Sequence, residues 1–338
     1  MLESVMNLLP SEIRAIMNKL PKELAGELEE VRIREGRPLE LVASGKCLFP
    51  DSAGETSGGP AAAYIPGRDD CARLLDQLTR HSLYSFEEEL RRGYITVAGG
   101  HRVGLAGRTV LEGGQVKLIK DITGFNLRIA RQIKGCGTAV LPHLADRDGG
   151  SIHHTLVVSP PQQGKTTLIR DLARLLSTGY GLGGQMRAGR KVALVDERSE
   201  IAACMRGVPA FDVGPRTDVM DGCPKAEGMM MMIRSMSPDV MVVDEIGTPE
   251  DATAVREAMN AGIRVIATAH GRSLQEVRSR PALKELLDER FFRRFVLLRR
   301  TGKGFDASVY DEHGTRLNQA NGFATPSVGG TRREGISC

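Results

Sequence analysis

The chain has 338 residues, enough for roughly two domains at ~150 residues each, and 41% of its side chains are apolar, enough to bury a core. Net charge is +4, the small difference between 46 basic and 42 acidic side chains, so charge balance alone does not point to nucleic acid. Aromatics are only 4%, no apolar run approaches the ~20 residues of a membrane helix, and none of the cysteines stands in a C-x-x-C pair, which argues against a spanning segment, a zinc ribbon and a dithiol motif. The six cysteines (Cys47, Cys71, Cys136, Cys204, Cys223 and Cys338) and the lack of a basic-then-apolar leader predict a cytosolic protein with reduced thiols. Any link to a membrane then runs through a partner.

In the first part of the chain, Met1–Glu30 carries apolar residues at three- and four-residue spacing and is expected to be helical. Val31–Arg34 and Leu39–Val42 alternate around Gly36-Arg37-Pro38 and predict a hairpin. Asp51–Pro60 reads as a loop and Asp69–His81 as a second helix. Tyr94–Val97, Arg102–Ala106, Val116–Ile119 and Leu127–Ala130 are short strand candidates between glycines. Residues 1–135 are therefore expected to form a small α+β domain.

The texture then changes. Thr155–Val158, Val192–Val195, Val240–Val243, Val265–Thr268 and Phe295–Leu298 are short apolar runs, most of them separated by helical stretches, as in a buried parallel sheet. An α/β domain over residues 136–315 follows from this pattern. Residues 316–338, rich in Gly, Ser, Thr and Pro from Asn318 on, are expected to be disordered.

Leu156-Val157-Val158 runs into Ser159-Pro160-Pro161-Gln162-Gln163-Gly164-Lys165-Thr166-Thr167, and a helix follows through Leu176. Strand, Gly-Lys-Thr loop and helix is the setting of a Walker A phosphate loop. Backbone N–H groups and the helix N-terminus cradle the phosphates of ATP, Lys165 neutralises their charge, and the Thr166 hydroxyl offers a ligand to Mg2+. Ser159 occupies the place of the usual first glycine. Val240–Val243 ends in Asp244 and Glu245, a Walker B pattern in which Asp244 holds Mg2+ and Glu245 acts as base toward water. Val192–Val195 ends in Asp196-Glu197-Arg198; Glu197 either approaches the metal and lytic water or forms a surface salt bridge. Val265–Ala269 ends at His270, a candidate γ-phosphate sensor. Ligands of parallel α/β sheets bind beyond the carboxyl ends of the strands. His153 and His154 read as chain entry to the first strand, and Met229–Met232 as helix core. Between Arg272 and Arg300 there are nine basic and four acidic residues, either a phosphate- or partner-facing surface or a solvated helix face.

Lys165-Thr166-Thr167, Glu197, Asp244-Glu245 and Ala269-His270, in this order, resemble the type II and type IV secretion ATPases. Asp212–Val219, Cys223–Gly228, Ile233–Pro238, Gly93–Thr96 and Gly100–Gly104 resemble, within that group, the stage III sporulation protein AA family. The resemblance implies a RecA-like P-loop core. It also implies a role in endospore formation in the mother cell, with membrane-embedded channel proteins as partners, and a ring of like subunits, a hexamer, sharing ATP at interfaces. It further implies arginines that complete the site: Arg102, Arg108, Arg128 and Arg131 from the first domain, with Arg216 and Arg280 in loops between core strands as candidates facing a neighbouring subunit. A RecA-like nucleic-acid translocase has the same core and is the alternative, but no aromatic-interleaved basic element supports it, so no nucleic acid is expected. The pairing of Lys165 and Thr166 with Asp244 and Glu245 argues against a scaffold that hardly hydrolyses ATP.

Overall fold

A computed structural model describes residues 5–79, 90–91, 93–130, 132–146, 150–301, 304–317 and 323–324. The chain divides into two compact units, one of Met1–Arg131 with Ala203–Phe211 and one of Gln132–Ala202 with Asp212–Cys338.

In the first unit the expected N-terminal helix is broken. Helix α1 spans Ser11–Lys19 and α2 spans Lys22–Glu27, and the chain is already in strand β1 at Leu28–Arg34. Pro21 explains the break: a residue before proline is driven out of the helical region, and Leu20 has ψ 144°. The expected hairpin forms between β1 and β2, Glu40–Ala43, with Val31 opposite Leu41. Strands β3, Lys46–Pro50, and β4, Thr56–Ser57, and helix α3, Arg68–Thr79, follow. The short pair β4 lies inside the segment read as a loop, and residues 80–81 of the second expected helix fall outside the described residues. The glycine-spaced strand candidates are longer than expected. Strand β5 is Tyr94–Val97, but β6 runs His101–Glu112 and β7 runs Gln115–Arg128 as one long hairpin. Two register shifts in that ladder interrupt the alternation by which its length would have been read. The antiparallel sheet has the order β4-β3-β2-β1-β7-β6-β5. Its core joins Ile13, Ile16 and Met17 of α1 and Leu74 and Leu78 of α3 to Val31, Leu41, Val103 and Leu127. Gly100 lies close against Ala203 and Phe211 of the inserted segment, a long-range association with no local sequence signal.

The second unit opens with the short helix α4, Leu141–Leu144. Strand β8, Thr155–Ser159, is buried along its whole length and leads through a loop into helix α5, Lys165–Thr178. A small hairpin of β9, Gly179–Leu182, and β10, Gln185–Ala188, precedes β11, Val192–Asp196, and β12, Thr217–Asp221. Helix α6, Lys225–Met236, strand β13, Val240–Val243, helix α7, Pro249–Asn260, and strand β14, Arg264–His270, come next. Helices α8, Leu274–Arg278, and α9, Pro281–Asp288, lead to β15, Arg294–Thr301, and β16, Gly304–Asp311. The sheet order is β12-β11-β13-β14-β8-β15-β16-β17, the last being Phe323–Ala324, and pairings from β12 through β15 are parallel. All five apolar runs are strands of this sheet. Strand β12 escaped the sequence reading because Thr217–Asp221 is an edge strand, only partly buried and without an apolar run. Strand β17, Phe323–Ala324, pairs with β16 inside the tail expected to be disordered; ladder hydrogen bonds with Gly304 and Phe305 order these two residues, and the rest of 318–338 lies outside the described residues.

Because the central strands are parallel, Ser159, Asp196, Val243 and His270 end at one edge. Every residue of β11 and β13 is buried, as expected of a sheet covered on both faces. Helix α6 lies against β11 and β12, with Met229 and Met232 in the core as expected and Met231 46% exposed. Gly228 permits that approach, since a Cβ there would stand 2.8 Å from Val195 Cγ1. His154 is more than an entry residue. Its Nδ1 accepts from the Val265 N–H at 3.2 Å and its carbonyl from Arg293 and Arg294, so it ties β8 to both neighbours. Burial, reinforced by Arg264 and Arg293, pushes its imidazole down to about 4.

Two outcomes follow. Gly228→Val overpacks the α6–β11 contact and lowers stability by about 1–3 kcal/mol in urea unfolding. The depressed His154 pKa means that the unfolded chain takes up that proton first as pH falls. The stability of the neutral ring is therefore complete above pH ~6.5 and is lost on acidification toward ~4. His154→Asn, which keeps an acceptor but cannot ionise, flattens the dependence of the urea midpoint on pH between 7 and 5.

Candidate functional site

The loop after β8 turns on two positive-φ residues, Gln162 at 60° and Gly164 at 97°. Gly164 is the N-cap of α5 and supplies no side-chain cap, so the first-turn N–H groups of that helix form a seat for an anion. Only a glycine adopts that φ without strain. Ser159 closes its own end of the loop, its Oγ donating to the Pro160 carbonyl at 2.9 Å. Gln163 fastens the loop to β15 by accepting the Arg300 N–H at 2.7 Å. Pro161 and Gln162 form its crest, and Thr167 stands in the first turn of α5, where its carbonyl accepts from the Cys136 thiol at 3.6 Å.

Lys165 is buried, 5% exposed, and its ammonium folds back over the loop. It donates to the carbonyls of Ser159 at 3.2 Å and Pro160 at 3.3 Å and meets His270 Nδ1 at 3.1 Å. Burial lowers its pKa, and the carboxylates of Glu245 and Asp244 partly restore it. An ammonium has no acceptor, so Nδ1 of His270 must accept and the ring proton must sit on Nε2. That proton points at Glu245 Oε1, 2.8 Å away. Lys165, His270 and Glu245 thus form one chain.

Asp244 and Glu245 follow β13 directly. Thr166 Oγ1 donates to Asp244 Oδ2 at 3.2 Å, and Thr268 Oγ1 donates to Oδ1 of the same carboxylate. Thr268 also accepts the Glu245 N–H at 2.8 Å, so one hydroxyl positions both acidic residues. Glu245 has φ 50°, the left-handed region. Its carbonyl accepts from Lys225 Nζ at 2.7 Å, and its carboxylate also meets Arg198 Nη1 at 3.4 Å.

At the end of β11 the two acids part. Asp196 is buried and accepts the N–H groups of Glu200, Ile201 and Ala202 at 2.8, 2.9 and 2.8 Å. Burial raises its pKa, and those three bonds pull it back. Arg170 of α5 takes the carbonyls of the same segment, Glu200 at 2.7 Å and Ile201, and burial brings its guanidinium down to about 10. Glu197 instead pairs with Lys225 Nζ at 3.3 Å. Of its two expected roles, the contact in this structure is a salt bridge, made at the rim of the site.

A sequence model of the family described as "Sporulation stage III, protein AA" matches residues 2–317. The chain belongs to that family. The stage III sporulation protein AA of Bacillus subtilis (strain 168) is 46% identical over 325 residues, 96% of this chain and 100% of that protein. The ATPase DotB of Yersinia pseudotuberculosis superposes with TM-score 0.53 at 14% identity, over 86% of this chain and 77% of that one. The pilus retraction motor PilT, solved with bound ADP, gives 0.51 at 15% identity, over 85% and 80%. At these identities the likeness concerns the fold, which is that of the RecA-like secretion ATPases.

In this family member the candidate arginines are spread out. Within the first unit Arg102 lies over the Tyr94 ring at 5.1 Å, Arg108 pairs with Asp121 at 2.9 Å and Arg128 with Glu30 at 3.4 Å. Arg131 lies outside the described residues. Arg216 precedes β12, at the amino edge of the sheet and away from the loop after β8, where it donates to the Gly189 carbonyl. Arg280 caps the start of α9 and pairs with Glu276 at 3.7 Å. The structure brings together Ser159, Gly164, Lys165, Thr166, Asp244, Glu245 and His270. It does not bring Arg216 to them.

The donors fit a hard cation that arrives with phosphate. Among the described residues no three His, Cys, Asp or Glu side chains cluster to hold an ion unaided. The hydroxyl of Thr166 beside the Asp244 carboxylate is the sparse oxygen set that Mg2+ uses when phosphates and water supply the rest. The sequence reading passed over Thr268 and Lys225. A hydroxyl within a buried apolar strand and a cation on the first residue of a helix were the available signals, since both need partners elsewhere. Thr268→Val removes the bond to Asp244 and leaves the Glu245 N–H unpaired. It costs about 1–3 kcal/mol in urea unfolding, whereas Thr268→Ser stays near wild type.

Proposed function

We propose that this chain hydrolyses ATP to ADP and phosphate as a motor of the secretion-ATPase kind. The observation that carries the reading is the Lys165–His270–Glu245 chain, 3.1 and 2.8 Å per link, set beside the Thr166–Asp244 pair at the end of a phosphate loop. The α5 N-terminus and the loop N–H groups bind the β-phosphate. Lys165 leaves the Ser159 and Pro160 carbonyls for phosphate oxygens. Thr166 and Asp244 would hold Mg2+, which would supply charge neutralisation to the phosphates when bound. Glu245 takes the proton of the attacking water as the bond to the γ-phosphorus breaks on the ADP side. His270 lies between the cation that meets the γ-phosphate and the base, so it reports the arrival of one to the other.

The family resemblance extends the proposal to a homo-oligomeric ring, a hexamer, that energises membrane-embedded channel proteins during endospore formation. Among the described residues no helix is long and apolar enough to cross a membrane; the proposal places the motor in the cytoplasm, attached to the membrane through those partners. Arg102, Arg108, Arg128, Arg131, Arg216 and Arg280 are the candidates for an arginine that completes the site, a contribution worth about 10³–10⁵ in rate.

Lys165→Ala abolishes ATP binding or turnover, measured with a fluorescent ATP analogue and by phosphate release. Glu245→Gln binds ATP and hydrolyses it at least ~10²-fold more slowly, and Asp244→Asn raises the Mg2+ requirement. Wild-type turnover in all three variants would sink the active-site assignment. For the ring, light scattering with a non-hydrolysable analogue gives a multiple of the monomer mass, and specific activity rises with protein concentration. A monomer whose turnover is independent of concentration removes the shared-site mechanism. An ATPase rate that climbs with single-stranded DNA favours a translocase instead.

A further inference from the structure

Lys225 begins α6, where the helix dipole works against a cation, yet its side chain is only 13% exposed. Its ammonium donates to the Glu245 carbonyl at 2.7 Å, pairs with Glu197 Oε2 at 3.3 Å and stands 3.9 Å from Asp251 Oδ2. Asp251 in turn accepts the N–H groups of Gly247 and Thr248 and closes the capping box of α7. One charge therefore gathers the end of β11, the turn after β13 and the start of α7 around a single residue, Glu245.

That residue is held against its conformational preference. A non-glycine residue at φ 50° persists only where its surroundings over-determine it. Here both ends of its backbone are fixed by side chains, the N–H by Thr268 and the carbonyl by Lys225. Release of the carbonyl lets the residue relax, and its carboxylate then swings away from His270 Nε2. Misplacement of a reacting group by about an ångström costs on the order of 10²-fold in rate.

We infer that Lys225 is a positioning residue for hydrolysis: its ammonium holds the Glu245 carbonyl and so aims the carboxylate at the attacking water, and Glu197 keeps the ammonium in place. The inference rests on Glu245 being the base. Lys225→Met removes the donor at nearly constant bulk, and Lys225→Arg retains a donor and the charge. In the full chain, Lys225→Met lowers kcat by about 10- to 100-fold with KM and the Kd of a fluorescent ATP analogue within ~2-fold of wild type. Lys225→Arg recovers most of the rate, and adding Glu197→Gln to Lys225→Met costs nothing further. A crystal structure of Lys225→Met shows Glu245 out of the left-handed region and its contact with His270 broken. Wild-type kcat in Lys225→Met overturns the inference, as does a loss of nucleotide affinity that matches the loss of rate, or a Glu245 conformation that survives without the ammonium. If the wild-type chain itself fails to hydrolyse ATP, the ATPase reading falls, while the crystal structure still decides whether Lys225 holds Glu245.

Discussion

A lysine ammonium nearly sealed from water must find acceptors for its protons, and Lys165 finds two carbonyls and an imidazole. Much of the site follows from that need. The two carbonyls belong to the loop itself, so the cation closes its own cradle. The imidazole must offer a bare Nδ1, which fixes its tautomer and turns its remaining proton toward Glu245. The Glu245 carboxylate meets that proton with Oε1 while Arg198 meets Oε2, and its backbone stands in the left-handed region there. A phosphate that competed for the ammonium would therefore act on the same chain that reaches Glu245.

A second arrangement supports the first from below. The turn after β11 has its backbone satisfied by two buried side chains of opposite charge. Asp196 takes N–H groups and Arg170 takes carbonyls of residues 200–202. An irregular buried segment has no ladder in which to place those groups, and a charge with several backbone partners is tolerable where a bare charge is not. Arg170 stands on α5, whose first residues form the proposed phosphate seat, so the helix proposed to meet the nucleotide also shapes the turn that presents Glu197 and Arg198.

Sequence and structure agree most closely where the physics is local or two-sided. The strands β8, β11, β13, β14 and β15 were legible because a parallel strand covered on both faces must be apolar throughout, and the acidic or histidine residues at the ends of β11, β13 and β14 marked their carboxyl ends. The loop was legible because Gly164, Lys165 and Thr166 have meaning only between a strand and a helix. Strand β12 was hidden by its partial exposure, the β6–β7 hairpin by its register shifts, and the break in the first helix by the weight given to periodicity over Pro21. The insertion of Ala203–Phe211 into the first unit depends on packing distant in sequence and has no local mark. Thr268 and Lys225 escaped because motif reading attends to acids and histidines, whereas these two act on the backbone and side chains of the acids.

The left-handed turn at Glu245 also constrains how the position varies over evolutionary time. Branched and bulky residues are strained at φ 50°, while asparagine, aspartate and glycine enter that region readily. On the proposed ATPase reading, a lineage that no longer needed to cleave ATP would therefore drift most easily to Asn or Gly there. Such a descendant would keep its fold and the proposed phosphate loop, lose only the carboxylate, and survive as a nucleotide-gated scaffold rather than as an unfolded relic.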